Sequence, residues 1–258
     1  MTKAVFFDVD GTLLSFKTHQ IPASTLSAIE ALKARGIKIF ISTGRPKFLL
    51  EATRNIEFHG YITLNGSLCL SADNQVISKE PIPKNEILRI LEWSKHNPHP
   101  LVFMHGHGWA ITHINDDVRN VTTQLKVTLP EVTPLDEIAE MEVFQIMGFF
   151  PPEKDEYFQT DVLSGCEVTR WHPLFTDIVK QNISKREGMY HILEHYGIEP
   201  EASMAFGDGG NDITILRAAA IGIAMGNASD EVKQAADYIT ASVDEEGIAK
   251  ALLHFGLI

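Results

Sequence analysis

The stretch Ala4-Val5-Phe6-Phe7-Asp8-Val9-Asp10-Gly11-Thr12 decides the fold. Ala4 to Phe7 is a short, nearly continuous apolar run, the pattern of a strand buried on both faces. It stops abruptly at two carboxylates and a glycine. Polar chemistry is therefore expected at the C-terminal end of a core strand.

Working outward, Leu26, Ile29 and Leu32 recur at helical spacing behind Pro22 and Ser24, and Gly36 stands where a C-terminal cap belongs. Ile37 to Ile41 reads as a second buried strand running into Ser42-Thr43-Gly44-Arg45, after which Pro46 is expected to open another helix. Strand, helix, strand, helix implies a parallel α/β sheet of the Rossmann-like kind. The same grammar returns from about residue 178. Ser184 and Glu187 make a capping-box pattern, and Met189, Ile192, Leu193 and Tyr196 give an apolar stripe ending at Gly197. Met204 to Phe206 is a strand leading into Gly207-Asp208-Gly209-Gly210-Asn211-Asp212, followed by a helix with Ile213 and Leu216. Ile221 to Met225 is a further strand, Val232 to Ala236 a helix, Tyr238-Ile239 a short strand and Ile248 to Phe255 a closing helix.

The middle of the chain reads differently. Hairpin-like strands (Leu101 to Met104, Trp109 to Ile114, Val143 to Phe149), proline-marked turns and an amphipathic stretch from Ile87 to Trp93 point to an α+β domain over residues 82–177. The expected organisation is a core of residues 1–81 and 178–258 with that domain inserted.

Composition narrows the partners. The 258 residues carry 34 acidic against 22 basic side chains, a net charge of −12, which repels nucleic acid and anionic membrane surfaces. An anionic substrate must then meet a local positive site, from a metal ion, placed Lys or Arg side chains, or helix N-termini. Cys69 and Cys166 match no zinc or redox spacing and read as free thiols of a reducing compartment. With no signal-peptide pattern and no apolar segment near the ~20 residues that span a bilayer, a cytoplasmic protein is expected, monomeric or weakly homo-oligomeric.

Four segments end predicted core strands or open a helix: Asp8 to Thr12, Ser42 to Gly44, Lys185, and Gly207 to Asp212. In an open parallel sheet such ends gather at one crevice. Asp8 and Asp208, on different strands, are placed to share a hard cation, and Mg²⁺ takes one or two carboxylates plus substrate phosphate oxygens. Asp8 would attack phosphorus to give an aspartyl-phosphate. Asp10 would protonate the leaving alcohol and then activate water. Thr43 offers a hydroxyl, Gly44 an unobstructed N–H, Lys185 a fixed ammonium and Asn211 an amide donor for the phosphoryl oxygens. Asp212 would either order metal-bound water or fix Lys185.

In these motifs the chain resembles haloacid-dehalogenase-superfamily phosphatases of the Cof-type branch with a C2-type cap, over essentially its whole length. Asp8 to Thr12 matches the family's Asp-x-Asp-Gly-Thr, Thr43 its second motif, Lys185 its third, and Gly207 to Asp212 its Gly-Asp-Gly-x-Asn-Asp. The resemblance implies Mg²⁺ held by Asp8, the Asp10 carbonyl and Asp208, and small phosphate esters, commonly phosphosugars, as substrates. Within the branch, Ser42 to Pro46, Asn65-Gly66 and Ala205 to Asp208 look most like small hexose-phosphate phosphatases of Bacteroides-type bacteria.

Arg45 and Asn65, just past core strands, are further candidates for substrate contact, with loop stabilisation as their alternative role. Arg170, Trp171 and His172 are candidates within the insertion. His105, His107 and His113 lack a completing ligand set and read as exposed histidines. Competing functions are a phosphosugar mutase on the same core, a phosphatase for flavin or pyridoxal phosphate, a phosphoacceptor switch, which would not need the insertion, and a dehalogenase, which would leave Asp10 and the Asp208/Asp212 pair without a purpose.

Overall fold

A computed structural model describes all 258 residues, apart from the side chain of Trp171. The chain divides into two compact units, one of Met1–Lys79 with Ser184–Ile258, the other of Glu80–Ile183.

The first unit opens with strand β1 (Ala4–Phe7), helix α1 (Ala23–Ala34), β2 (Lys38–Ser42), β3 (Gly60–Thr63), β4 (Leu68–Ser71) and β5 (Val76–Lys79). The second unit supplies α2 (Lys84–Ser94), β6 (Leu101–His105), β7 (Gly108–Ile111), α3 (Asp116–Gln124), β8 (Glu131–Val132), α4 (Leu135–Ala139), β9 (Val143–Gly148), the single turn α5 (Asp155–Tyr157), β10 (Cys166–His172) and β11 (Phe175–Lys180). The chain then returns through α6 (Lys185–Tyr196), β12 (Ser203–Gly207), α7 (Ile213–Ala218), β13 (Ile221–Ala224), α8 (Asp230–Gln234), β14 (Tyr238–Ile239) and α9 (Gly247–His254).

The first unit's sheet has the order β14-β13-β12-β1-β2-β3-β4-β5. It is parallel from β14 to β3, and β4 and β5 extend it as an antiparallel hairpin. That hairpin was absent from the sequence expectation, although Asp73-Asn74 is a turn signature and Asn74 takes the left-handed conformation, φ 66°. Strand β1 alternates sides as a pleated strand must. Val5 and Phe7 join the core that includes Ile29 and Leu32 of α1 and Leu252 of α9, whereas Ala4 and Phe6 face Met189, Ile192 and Leu216 of α6 and α7. With helices on both faces, all four residues are buried, which is why the run carries no polar side chain. The rings of Phe6 and Phe40 stack at 4.9 Å and those of Phe7 and Phe206 at 5.2 Å, one pair on each face.

The helix expected to start at Pro46 does not form. Pro46 is extended, and two 3₁₀ turns, Lys47–Leu49 and Glu51–Thr53, follow it. The Arg45 side chain donates to the Leu49 carbonyl at 3.2 Å, taking an acceptor that a longer helix would have used.

The second unit builds its own sheet, β10-β11-β9-β6-β7-β8, over a core that includes Ile87 and Ile90 of α2, Phe103, Ile146, Phe158 and Ile178. Because β11 runs through Lys180 and pairs Ile178 with Val168, residues 178–183 belong to this unit rather than to the core segment that was expected to begin at 178. No described helix is long and apolar enough to cross a membrane.

Candidate active site

Strand order places the site. β1 lies between β12 and β2, with Phe7 opposite both Phe206 and Ile41, so the residues leaving these strands emerge side by side. The order reverses at this point: β2 and β3 lie on one side of β1, β12 and β13 on the other. Such a switch point opens a crevice at the strands' C-terminal edge. Asp8, Thr43 and Asp208 all stand there.

Lys185 arrives from the first turn of α6. Ser184 caps that helix, its hydroxyl accepting from Arg186 N and donating to Glu187. The turn after β3 supports it from beneath. Leu64, Asn65 and Gly66 all have positive φ (52°, 56° and 102°), and a Cβ on Gly66 would stand 2.2 Å from the Ser184 carbonyl oxygen. Only glycine lets the two segments approach so closely. Lys185 has no exposed surface, and its Nζ donates to Asp8 Oδ1 at 2.7 Å and to Asp212 Oδ1 at 2.6 Å. Burial alone would pull its pKa down, but Asp212 and Asp8 outweigh it and hold the ammonium above its ordinary range. Asp212 is engaged on both oxygens: its Oδ2 accepts from the backbone N–H groups of Asp208 (3.0 Å) and Gly209 (2.9 Å).

Asp208 is held from two directions. Thr12 Oγ1 donates to its Oδ1 at 2.9 Å, and Asn227 Nδ2 donates to its Oδ2 at 3.0 Å. The carboxylate crosses directly over Gly11, where a Cβ would lie 2.2 Å from Oδ2. Gly11 also has φ 81°. We expect Gly11→Ala to cost about 1–3 kcal/mol in urea denaturation, from backbone strain and displacement of Asp208; a wild-type midpoint would show that neither constraint operates.

One carboxylate oxygen from each of Asp8, Asp208 and Asp212 lies within 4.8 Å of the others. Burial, then Asp212, push the Asp8 carboxyl well above its usual range, with Asp208 and Asp10 adding to the effect against Lys185. The same two leading causes push Asp208 up to about 7. One ammonium among these carboxylates leaves an excess of buried negative charge. The donors are all hard oxygens, with no sulfur or imidazole among them, so the set fits a small divalent cation in both charge and chemistry.

Asp10 and Arg45 form a bidentate pair. Arg45 Nε donates to Asp10 Oδ2 at 2.7 Å and Nη2 to Oδ1 at 2.6 Å. Arg45 thus meets a carboxylate and the Leu49 carbonyl, the side-chain bonding role weighed as the alternative to substrate contact. Thr43 Oγ1 accepts from Arg45 N at 3.1 Å, which leaves the hydroxyl proton to donate elsewhere. Asn65 reaches Thr43 through its backbone N–H, and its Oδ1 accepts from Asn211 Nδ2 at 2.9 Å. Gly44 lies against the Asn65 amide. Asp8, Asp10, Thr43, Gly44, Arg45, Asn65, Lys185, Asp208, Asn211 and Asp212 are therefore brought together within one unit.

The insertion candidates fare differently. Arg170 is committed to its own unit, bidentate to Asp155 at 2.7 Å twice and bonded to the carbonyls of Phe150, His172 and Pro173. Its guanidinium donors are engaged in bracing the β10–β11 hairpin. His172 sits in that same turn, accepting from Leu174 N and stacked on Phe175 at 4.9 Å. The side chain of Trp171 lies outside the described residues. What the sequence reading missed is the reach of Thr12 and Asn227 to Asp208. Asn227 follows β13 at the same sheet edge, the placement that singled out the other segments.

The architecture, the acidic strand ends and the lysine that opens α6 are those of a haloacid-dehalogenase-type hydrolase, and comparison agrees. The model of the haloacid dehalogenase-like hydrolase family matches residues 5–252. The chain belongs to that family and is an enzyme of its phosphatase branch. The Bacillus subtilis protein YkrA, provisionally named a phosphatase, is 34% identical over 263 residues, with 100% of this chain and 99% of YkrA covered. The solved structure of the subclass IIB sugar phosphatase BT4131 superposes with a TM-score of 0.94 at 42% identity, covering 100% of both chains. BT1666, a phosphatase from Bacteroides thetaiotaomicron, gives a TM-score of 0.93 at 37% identity, covering 100% of this chain and 96% of that one.

Proposed function

We propose that this enzyme hydrolyses phosphate monoesters of small metabolites, sugar phosphates foremost, with Mg²⁺ and through an aspartyl-phosphate on Asp8. The observation that carries this reading is the meeting of Asp8, Asp208, Thr43 and Lys185 at one sheet edge, with a second carboxylate two residues beyond the nucleophile. The 42% identity to a sugar phosphatase over the full chain supports the substrate class.

In the first half-reaction an Asp8 oxygen bonds to phosphorus while the bond from phosphorus to the ester oxygen breaks, and Asp10 gives that oxygen a proton. In the second, water bonds to phosphorus, Asp10 takes its proton, and the bond between phosphorus and Asp8 breaks to restore the carboxylate. Lys185, Thr43, the Gly44 N–H and Asn211 stabilise the equatorial phosphoryl oxygens. Asp8, the Asp10 carbonyl and Asp208 would hold the cation, which neutralises phosphate charge and permits approach to an anionic site. Of the two roles weighed for Asp212, fixing Lys185 has the support of the 2.6 Å contact between Lys185 Nζ and Asp212 Oδ1, while the other oxygen accepts from the Asp208 and Gly209 backbone N–H groups.

Arg45 holds Asp10 in place, and both Asp10 oxygens accept from it. A protonated Asp10 must give up one of these bonds, so acid catalysis requires the pair to loosen when substrate arrives. Asp10→Asn is expected to fold normally and to lose about 10²–10⁴-fold in turnover, read by phosphate release against a circular dichroism control. Turnover near wild type would remove Asp10 from the mechanism.

The reading is tested by a phosphate-release screen with Mg²⁺ over hexose, pentose, glycerol, nucleotide, flavin and pyridoxal phosphates. A further arm is 5-amino-6-(5-phospho-D-ribitylamino)uracil, the substrate in the name of YcsE, a Bacillus subtilis relative at 29% identity. Hexose phosphates should be the best substrates. Conversion of labelled hexose 1-phosphate into an isomer with little free phosphate would favour the mutase instead.

A further inference from the structure

We propose that Asn227 is a positioning residue for the cation site, its amide fixing the Asp208 carboxylate against the Gly11 carbonyl before any cation arrives. The inference rests on the metal-dependent reading above.

Every polar atom of the Asn227 side chain has a partner. Nδ2 donates to Gly11 O at 2.9 Å and to Asp208 Oδ2 at 3.0 Å, while Oδ1 accepts from Val243 N at 3.0 Å. The Val243 N–H can only donate, which fixes the orientation of the amide. One side chain thus ties together the loop after β1, the loop after β12 and the segment after β14. The residue carrying it is itself held by backbone, since Gly226 N donates to Ala241 O and Ala228 N to Met225 O, both at 3.0 Å.

Asp208 is consequently gripped on both oxygens, by Thr12 on Oδ1 and Asn227 on Oδ2. A carboxylate oxygen has two lone pairs, so each grip leaves one free for a cation. The grip also opposes the repulsion of Asp208 by its neighbouring carboxylates, which would otherwise turn it away when the site is empty. Asn227 is exposed and packs no core, so its truncation should leave the fold standing.

Purified full-length wild type, Asn227→Ala and Asp244→Ala would be titrated with Mn²⁺ without substrate, the free ion read by electron paramagnetic resonance, and then assayed across Mg²⁺ concentrations. Asp244 accepts from Ser15 Oγ at 2.6 Å and pairs with Lys17 at 3.0 Å, so its truncation loosens the same rear segment without touching Asp208. Asn227→Ala is expected to bind Mn²⁺ about 10–100-fold more weakly, with turnover returning at high Mg²⁺, while Asp244→Ala binds as wild type does. Equal weakening in both variants, or unchanged Mn²⁺ affinity in Asn227→Ala, overturns the proposal while leaving the phosphatase reading intact. A wild type that binds no cation sinks both. Should Asn227→Ala fail to fold, Asn227→Ser carries the same comparison.

Discussion

Replacing Asp8 with asparagine is expected to abolish phosphate release, by about 10⁴-fold or more, and to leave the cation-free protein at least as stable as wild type at neutral pH. The activity argument rests on the absence of a substitute. Asp208 is held by Thr12 and Asn227, Asp212 by Lys185 and two backbone N–H groups, and Asp10 by Arg45, so no neighbouring carboxylate is placed to attack in its stead. The stability argument comes from charge. Burial and Asp212 raise the Asp8 pKa well above its unfolded value of 3.8. A carboxyl raised on folding favours the folded state only while protonated; ionising it costs stability, and that cost grows as pH rises from the unfolded value through the folded one. At neutral pH the variant escapes this cost, and below about pH 4 the two proteins should converge. Lys185 keeps Asp212 and an amide oxygen as acceptors. Phosphate release and thermal melting without Mg²⁺ provide the two readings. An inactive variant that also melts well below wild type would point to a damaged fold rather than a missing nucleophile.

Why the sequence points to most of the candidate site, yet misses some of its contacts, follows from where information resides in such a fold. A strand buried on both faces must be apolar, so Ala4–Phe7 and Met204–Phe206 are visible as runs, and the first polar residue beyond each marks the sheet edge. Asp8, Thr43 and Asp208 are legible for that reason, and Lys185 because the Ser184–Glu187 pair announces a helix start. Asn227 obeys the same rule behind Ile221–Ala224, but an asparagine after a glycine is also an ordinary turn residue, and its partner Gly11 lies 216 positions away. Arg45 is a different case. Its position near the crevice was readable, but whether its guanidinium met a substrate or Asp10 depended on a rotamer, which no spacing encodes. Arg170 shows the same limit, since Asp155 reaches it from another element of the inserted unit.

Lys185→Met is the second variant for which a large effect is expected, and here activity and stability should fall together. Methionine fills a similar buried volume but leaves Asp8 and Asp212 as uncompensated charges. Breaking a buried pair by removing one partner costs about 3–5 kcal/mol, and losing a fixed cation at the phosphoryl oxygens should cost about 10²–10³-fold in turnover. The ammonium's pKa is raised by its partners, so its stabilisation is fully present below the unfolded value of 10.5 and is lost only at more alkaline pH. The deficit should therefore persist through neutral pH and narrow in acid, where Asp8, with its raised pKa, loses its charge. Adding Asp212→Asn should recover part of the stability and none of the turnover, because the charge imbalance is reduced while the phosphate still lacks its lysine. Urea denaturation of both variants, compared at equal m-values, with phosphate release alongside, separates the two contributions. If Lys185→Met unfolded at the wild-type urea concentration, the ion pairs would contribute nothing to holding Asp8 in place. Lys185 would then serve the substrate alone.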